Sequence, residues 1–199
     1  MVSARIVSVL LALFALGPRA AFAGPSLHGQ VVDAETGEPL GGSIVVVVWR
    51  KTAWYNMDGG GAVVQKVVEK LADAEGRFSV EDDPGWNLNP FTYRDPDPSI
   101  GIFHVGYAPF PVAEESVRIK RADGSVGGMD RAEQAAALRA GMIVRLPRLT
   151  SSEQFARYST RGYVVMGDAP PHLIPHLMEA LNQHRIAAGL EPLLSRGRR

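Results

Sequence analysis

The stretch HGQVVDAETGEPLGGSIVVVV, residues 28–48, decides the fold of this chain. Apolar and polar residues alternate over 27–32, which predicts a strand with one buried face. Residues 33–37 are turn formers whose side chains can bond their own backbone, and Pro39 ends the strand by removing a donor. The β-branched run 44–48 favours a second strand. The stretch therefore predicts strand, turn, corner and strand.

The same stretch carries the pattern G-x-V-x-D-x-x-T-G-x-P-L-x-G. Its matching positions are Gly29, Val31, Asp33, Thr36, Gly37, Pro39, Leu40 and Gly42. This pattern resembles the carboxypeptidase regulatory-like domain family, whose fold is a transthyretin-like β-sandwich. Residues 72–78 are similar to that family's T-D-x-x-G-x-F hairpin, with Ala72 where threonine is usual, and residues 106–109 form a third matching piece.

The resemblance spans residues 27–149 and implies a transthyretin-like Greek-key β-sandwich. We predict a mainly β fold of about seven strands, with one short inserted helix and a C-terminal amphipathic helix. The family's role is accessory, beside a catalytic domain or as an envelope module, and it implies no chemistry by itself. We predict three segments. They are a signal peptide (1–23), the β-sandwich (24–150) and a C-terminal helical extension with a disordered basic tail (151–199).

The first 23 residues are predicted to be an export signal. Arg5 supplies the positive region, residues 6–16 form an apolar core, and residues 21–23 form an A-x-A cleavage site before Gly24. The apolar core is shorter than the ~20 residues that span a membrane. The alternative is an uncleaved anchor, which the small-residue site disfavours. We expect a periplasmic or secreted protein that begins at Gly24 and has no membrane span.

Composition narrows the function classes. Lys+Arg and Asp+Glu both number 21, so no net field favours nucleic acid. The chain has no cysteine, which rules out disulfides, thiol catalysis and thiolate metal sites. An exported protein without cysteine fits the bacterial envelope. We predict no cofactor, because no phosphate-cradling glycine loop occurs between a strand and a helix.

Further elements follow along the chain. Residues 62–71 place valines at helical spacing, but their β-branching and the family pattern favour a strand. The other predictions are a loop at 51–61, a strand at 77–81 that pairs back on 62–71 as a hairpin, an unstructured insertion at 82–99, strands at 100–105 and 117–120, a helix at 130–140 with a capping box from Asp130 and Glu133, and a closing strand at 142–149.

The C-terminal extension is predicted to contain an amphipathic helix. Asp168 is placed to cap it, with Pro170 and Pro171 in its first turn and Pro175 as a kink. Its apolar stripe comprises Leu173, Ile174, Leu177, Met178 and Leu181, with His172, His176, Glu179 and Gln183 facing elsewhere. Residues 44–49 are apolar on both faces, so their outer face needs a cover. We hypothesise that the helix packs there in cis; the rival hypothesis is a partner chain.

Candidate binding residues lie in the loops and in this helix. Trp54, Tyr55, Trp86, Phe91 and Tyr93 could form an aromatic platform for sugar or protein, although we favour anchoring of the loops to the body. His172 and His176 have the spacing of a metal-binding pair, but a solvated helix face is the favoured interpretation. Asp82, Asp83, Asp95 and Asp97 lack the EF-hand order and are interpreted as solvated acids rather than Ca²⁺ ligands.

Enzymatic interpretations find little support in the sequence. No G-x-S-x-G occurs, and the adjacent Glu114 and Glu115 would point to opposite faces of a strand. A related hydrolase, 5-hydroxyisourate hydrolase, has a reactive histidine where this chain has Gln30, which disfavours that activity. We therefore expect a non-catalytic exported module that binds or scaffolds an envelope protein or polysaccharide. The alternative is a small-ligand, carbohydrate-binding protein that uses Trp54, Tyr55, Trp86 and Tyr93.

Overall fold

The computed structural model describes residues 25–53, 62–86, 88–89, 91–111, 118–120, 126–166 and 169–193. Over these residues the chain is mainly β, with two principal sheets and three α-helices. The strands are β1 (Ser26–Asp33), β2 (Ile44–Ala53), β3 (Val63–Leu71), β4 (Arg77–Glu81), β5 (Thr92–Arg94), β6 (Ser99–Phe103), β7 (Arg118–Lys120), β8 (Val126–Gly128) and β9 (Met142–Leu146). The helices are α1 (Arg131–Arg139), α2 (Ser152–Met166) and α3 (Pro175–Ala187), with a 3-10 turn at Pro171–Leu173. These nine strands exceed the predicted seven or so.

The two principal sheets are built around β1 and β2. In the first sheet β1 lies between β4, which is antiparallel to it, and β9, which is parallel. In the second sheet β2 pairs with β3 on one side, and with both β5 and β6 on the other, all antiparallel. Strands β7 and β8 form a separate antiparallel hairpin. The predicted strand at 62–71 is confirmed by β3.

The predicted hairpin of 77–81 on 62–71 is wrong. Strand β4 pairs with β1, so the turn before it carries the chain from one sheet to the other. Gly76 makes this crossing feasible: its φ is +71°, and a Cβ there would lie 2.4 Å from the carbonyl oxygen of Val31. The Gly76 carbonyl accepts a hydrogen bond from the Val31 N–H at 2.8 Å. The close approach of these two backbones holds β4 against β1.

The main core lies between the sheets. It draws Leu27 and Val31 from β1, and Val45, Val47 and Trp49 from β2. The remaining buried members are Leu40, Ala72, Phe78, Val80, Ile100, Ile102, Tyr107, Phe110, Ala135, Leu138, Val144 and Leu146. Ala135 and Leu138 belong to α1, so this helix closes the core at one side. The predicted capping box of α1 is confirmed, with both reciprocal bonds between Asp130 and Glu133 present.

A second core covers the outer face of β2. Ile44, Val46 and Val48 point away from the first sheet and are buried against the C-terminal part of the chain. Their covering residues are Ala169, Ile174, Leu177, Ala180 and Leu181, with Phe103 from β6 beside them. The hypothesis that the C-terminal helix packs here in cis is confirmed.

The predicted start of that helix is wrong. Helix α3 begins at Pro175, so this proline occupies the first helical turn, where its missing N–H costs little, and does not kink the helix. Pro171 lies in the preceding 3-10 turn, and Asp168 lies outside the described residues. The backbone N–H groups of His176 and Leu177 donate instead to the carboxylate of Glu69, at 3.1 and 2.8 Å. A distant strand therefore caps the helix.

Helix α2 is an element that the sequence patterns did not identify. Its residues Phe155 and Tyr158 pack against the buried side chains of Ala108 and Leu149, in a small third cluster. No helix among the described residues is both long enough and apolar enough to cross a membrane. Strands β2 and β5 also correct two loop predictions, because Lys51, Thr52 and Ala53 pair with residues Thr92–Arg94.

Truncation of the second core should destabilise the protein strongly. We expect Leu181→Ala to lower the free energy of unfolding by ~2–5 kcal/mol, because Leu181 is fully buried against β2 and leaves a cavity. Leu173→Ala is the matched control, since Leu173 is 43% exposed and should cost little. Urea unfolding measures both. Equal stability of the two variants would contradict packing of α3 on the sheet.

Candidate functional site

An exposed apolar surface lies on β5, which pairs with the end of β2, and on the loop that precedes β5. It comprises Trp86, Leu88, Phe91 and Tyr93, and we call it the apolar tip. Trp86 is 91% exposed, Leu88 88%, Phe91 67% and Tyr93 49%. Tryptophan is highly buried on average in folded proteins, and apolar side chains exposed together mark interaction surfaces. The tip is the strongest candidate for a contact site in the described chain.

The exposure of the tip corrects the favoured sequence interpretation. Trp86 and Phe91 were expected to anchor their loop to the body, but they are 91% and 67% exposed. Tyr93, which was expected to do the same, is half-exposed and lies in β5, which pairs with β2. Trp54 and Tyr55, the other two candidates, lie outside the described residues. Leu88 was not a candidate, because an isolated leucine between asparagines gives no sequence signal.

The backbone beneath Trp86 is held by three long side chains. Lys66 donates from Nζ to the carbonyl of Asp83 at 2.6 Å, and Gln65 donates from Nε2 to the carbonyl of Trp86 at 3.4 Å. A guanidinium nitrogen of Arg94 donates to the carbonyl of Gly85. These bonds fix the loop while leaving the Trp86 ring free of the body. We call Gln65, Lys66 and Arg94 the loop clamp.

A β-bulge positions two members of the clamp. The register of β2 with β3 shifts between Trp49 and Arg50, so that Gln65 has no partner in the ladder and Lys66 lies opposite Trp49. A bulge of this kind bends the strand and redirects side chains. The Lys66 ammonium, which bonds the loop, also lies 5.5 Å from the Trp49 ring centroid. The third member, Arg94, belongs to β5 and is paired with Lys51.

The carboxylates at residues 82, 83, 95 and 97 all contact neighbouring cations. Asp82 and Asp97 both contact Arg139, at 2.7 and 3.4 Å. Asp95 contacts Arg131 at 3.4 Å, and Asp83 contacts Lys66 at 3.5 Å. The Gly85 N–H, helped by the Lys66 charge, holds the pKa of Asp83 below its ordinary value. These four acids were interpreted as solvated, but each one has a cationic partner.

The two histidines proposed as a metal-binding pair lie on different elements. His172 is in the 3-10 turn and His176 is in the first turn of α3, so they do not share one regular helix face. Both are exposed. Within the described ranges, no three metal-ligating side chains come together. Among the described residues, no side chain is placed to be a third metal ligand beside these two histidines.

Asp33, the last residue of β1, is the centre of a buried polar network. Its carboxylate accepts the N–H groups of Glu35 and Thr36, at 2.8 and 3.1 Å, which forms the turn that the sequence predicts. It also accepts the Tyr107 hydroxyl at 2.8 Å and an Arg148 guanidinium N–H at 3.0 Å. The backbone donors are the largest cause of a strongly lowered pKa of Asp33. With this many partners, the carboxylate is structural.

Among the residues that the structure describes, His104 and Ser43 come nearest to a catalytic pair. The Ser43 hydroxyl lies 3.1 Å from Nδ1 of His104. Ser43 is fully buried, however, and its hydroxyl donates to the Leu40 carbonyl at 2.7 Å. A hydroxyl that donates elsewhere is not activated by the imidazole. This pair joins the corner before β2 to the end of β6.

His184 is a buried histidine that the sequence interpretation did not single out. Its Nε2 accepts the Gly106 N–H at 2.9 Å, so the neutral ring carries its proton on Nδ1. The ring contacts Phe103 and Phe155, with centroid distances of 5.0 and 5.3 Å. Burial lowers the pKa of His184 to about 4. The residue joins α3, α2 and the end of β6, and its burial favours the neutral form.

Comparisons with protein-family models, curated proteins and solved structures found no match to this chain. The candidate surface therefore stands on its own geometry. The tip and its clamp combine exposed aromatic rings, a fixed backbone and paired charges within one small region.

The burial of His184 should make the free energy of unfolding fall at acidic pH. Because the folded pKa is lowered, the unfolded chain binds the proton more readily, and the stabilisation is lost as pH falls from about 6.5 toward 4. We expect a loss on the order of 2–3 kcal/mol over this range. His184→Gln should reduce this slope, because glutamine can accept the Gly106 N–H without titrating.

Urea unfolding at a series of pH values measures this effect. His176→Gln is the control, since His176 is exposed and its substitution should leave the slope as in the wild type. A His184→Gln protein with the wild-type slope would show that another group carries the acid sensitivity. His104, whose pKa burial also lowers, would then be the group to replace.

Proposed function

We propose that this chain is an exported, non-catalytic binding or scaffolding module of the bacterial cell envelope, and that it contacts its partner through the apolar tip. One observation carries the proposal: the Trp86 side chain is 91% exposed while the backbone that carries it is held by Gln65, Lys66 and Arg94. A loop whose backbone is held in place loses little freedom on binding, which favours affinity.

The proposed fold is a transthyretin-like Greek-key sandwich of the carboxypeptidase regulatory-like type. Support comes from the sequence pattern of residues 28–48 and from the core that the two principal sheets share. The turn at 33–37 also supports it, because the Asp33 side chain bonds the backbone as that pattern requires. Families of this type serve as accessory modules, which agrees with a binding role.

Export is proposed from the sequence of residues 1–23, with cleavage before Gly24. The non-catalytic role is supported by the engagement of Ser43 with a backbone carbonyl and of Asp33 with four donors. Both groups serve the fold. We propose that the mature protein is periplasmic or secreted.

Carbohydrate is the second candidate for the bound ligand. The exposure of the Trp86 and Tyr93 rings favours it, because sugars stack on flat aromatic faces. The candidate rests on these two rings together with Trp54 and Tyr55, which lie outside the described residues. Within the proposed role, polysaccharide is one of the envelope components to test.

The proposal is tested with protein exported by a Gram-negative host and recovered from the periplasm. Mass spectrometry should show a chain that begins at Gly24. The protein is then mixed separately with membrane vesicles, peptidoglycan sacculi and soluble periplasmic proteins. We expect retention on one of these, weakened about tenfold or more by the double substitution Trp86→Ala and Phe91→Ala, since each ring contributes apolar contact area.

The control substitution is Ile186→Ala on α3, because Ile186 is also exposed, at 62%, but lies outside the tip. Its retention should equal that of the wild type. All variants are first compared by urea unfolding, so that loss of binding is not confused with loss of fold. Equal retention of the double variant, or no retention of the wild type anywhere, would contradict a binding role for the tip.

A further inference from the structure

We propose that the apolar tip inserts into the interfacial layer of a lipid bilayer, so that the protein is a peripheral membrane binder. This inference rests on the proposed function and names the partner of the same surface. It concerns shallow insertion of Trp86, Leu88 and Phe91 between lipid headgroups. The supporting features are the shape of the tip, the state of its backbone carbonyls and its charge balance.

The shape of the tip suits an enveloping partner. A pocket for a small ligand is concave and buries most of its occupant. Trp86 and Leu88 are instead about nine-tenths exposed, and they project from the surface. Leu88 has no flat face on which a sugar could stack. A bilayer surrounds such projecting side chains on every side, and tryptophan and phenylalanine are common in interfacial binders.

The four side chains are graded in exposure. Trp86, Leu88 and Phe91 are the most exposed, whereas Tyr93, at 49%, lies in β5 and so nearer the body of the sheet. Tyrosine has an apolar ring and a polar hydroxyl, and it prefers the boundary between lipid and water. The arrangement therefore places the most apolar groups outermost and the amphipathic ring behind them.

Backbone carbonyls at Trp86 and in the segment that leads to it are already paired. An unpaired carbonyl is costly where water is scarce. The carbonyls of Asp83, Gly85 and Trp86 already accept hydrogen bonds from Lys66, Arg94 and Gln65, respectively. At the far side of the loop, Asn89 caps its own turn, accepting the N–H of Phe91 at 2.9 Å through its side chain. Insertion therefore leaves these groups paired.

The charges beside the tip are compatible with a bilayer that carries no net charge. Asp82, Asp83, Asp95 and Asp97 are paired with Lys66, Arg131 and Arg139, the last of which serves both Asp82 and Asp97. The charge of Arg94 also acts on Asp83, so these four acids face four cations and no net negative field repels lipid headgroups. No excess of cations in this set draws the tip to anionic lipid either. A protein steered by cations would favour anionic membranes and be released by salt. Apolar insertion predicts binding to zwitterionic lipid that salt barely weakens.

The test is co-sedimentation of the exported, leader-free protein with vesicles of phosphatidylcholine and phosphatidylethanolamine. Because these lipids carry no net charge, they do not attract Arg196, Arg198 and Arg199 of the basic tail. We expect binding that persists in high salt and that Trp86→Ala weakens about tenfold or more. Trp86→Phe keeps an apolar ring, so it should bind nearly as the wild type does while reducing the blue shift of tryptophan emission on vesicle addition.

Ile186→Ala is the matched control and should bind vesicles as the wild type does. If the wild type ignores vesicles but binds sacculi or a periplasmic protein in a Trp86-dependent manner, bilayer insertion is overturned and the tip remains a binding surface. If Trp86→Ala binds vesicles equally well, bilayer insertion of the tip is overturned as well. If no partner shows dependence on Trp86, the proposed function fails together with the inference.

Discussion

Strand β2 is apolar on both faces, and the rest of the molecule is arranged to keep both faces dry. Val45, Val47 and Trp49 point to the core between the sheets, while Ile44 and Val46 point outward to α3. A sheet packed on one side alone would leave the outward set in water, at roughly 1.5–3 kcal/mol for each large side chain. The C-terminal helix is therefore part of the hydrophobic structure, although it follows the last strand of either principal sheet.

The apolar character of both faces of β2 is visible in the sequence. Several locally determined elements are visible there as well. The turn at Asp33, the capping box at Asp130 and the strand 63–71 depend on neighbours in the chain, and they were predicted. The pairing of β4 with β1 was not, because it depends on how closely Gly76 approaches Val31 across the fold. Local patterns identify elements, whereas the choice of partner is made by long-range packing.

The same distinction explains what the sequence could say of the candidate site. It indicated Trp86, Phe91 and Tyr93 by residue type, but their exposure is a property of the folded chain, in which the loop clamp holds the backbone at Trp86. Gln65 and Lys66 reach the loop because a bulge shifts the register, and a bulge has no reliable sequence signature. For His184, too, only the folded chain brings the acceptor nitrogen to the Gly106 N–H, 78 positions earlier.

The parallel pairing of β1 with β9 and the covering of β2 by α3 both join an early segment of the chain to a late one. Strand β1 lacks one of its two neighbours until residues 142–146 are present, and the outer face of β2 lacks its cover until residues 174–181 are present. Until those residues arrive, the valine-rich segment 44–48 has the character of an aggregation-prone strand, being β-branched, uncharged and free of proline. A chain in which this segment is still uncovered is therefore at risk of aggregation until folding is complete.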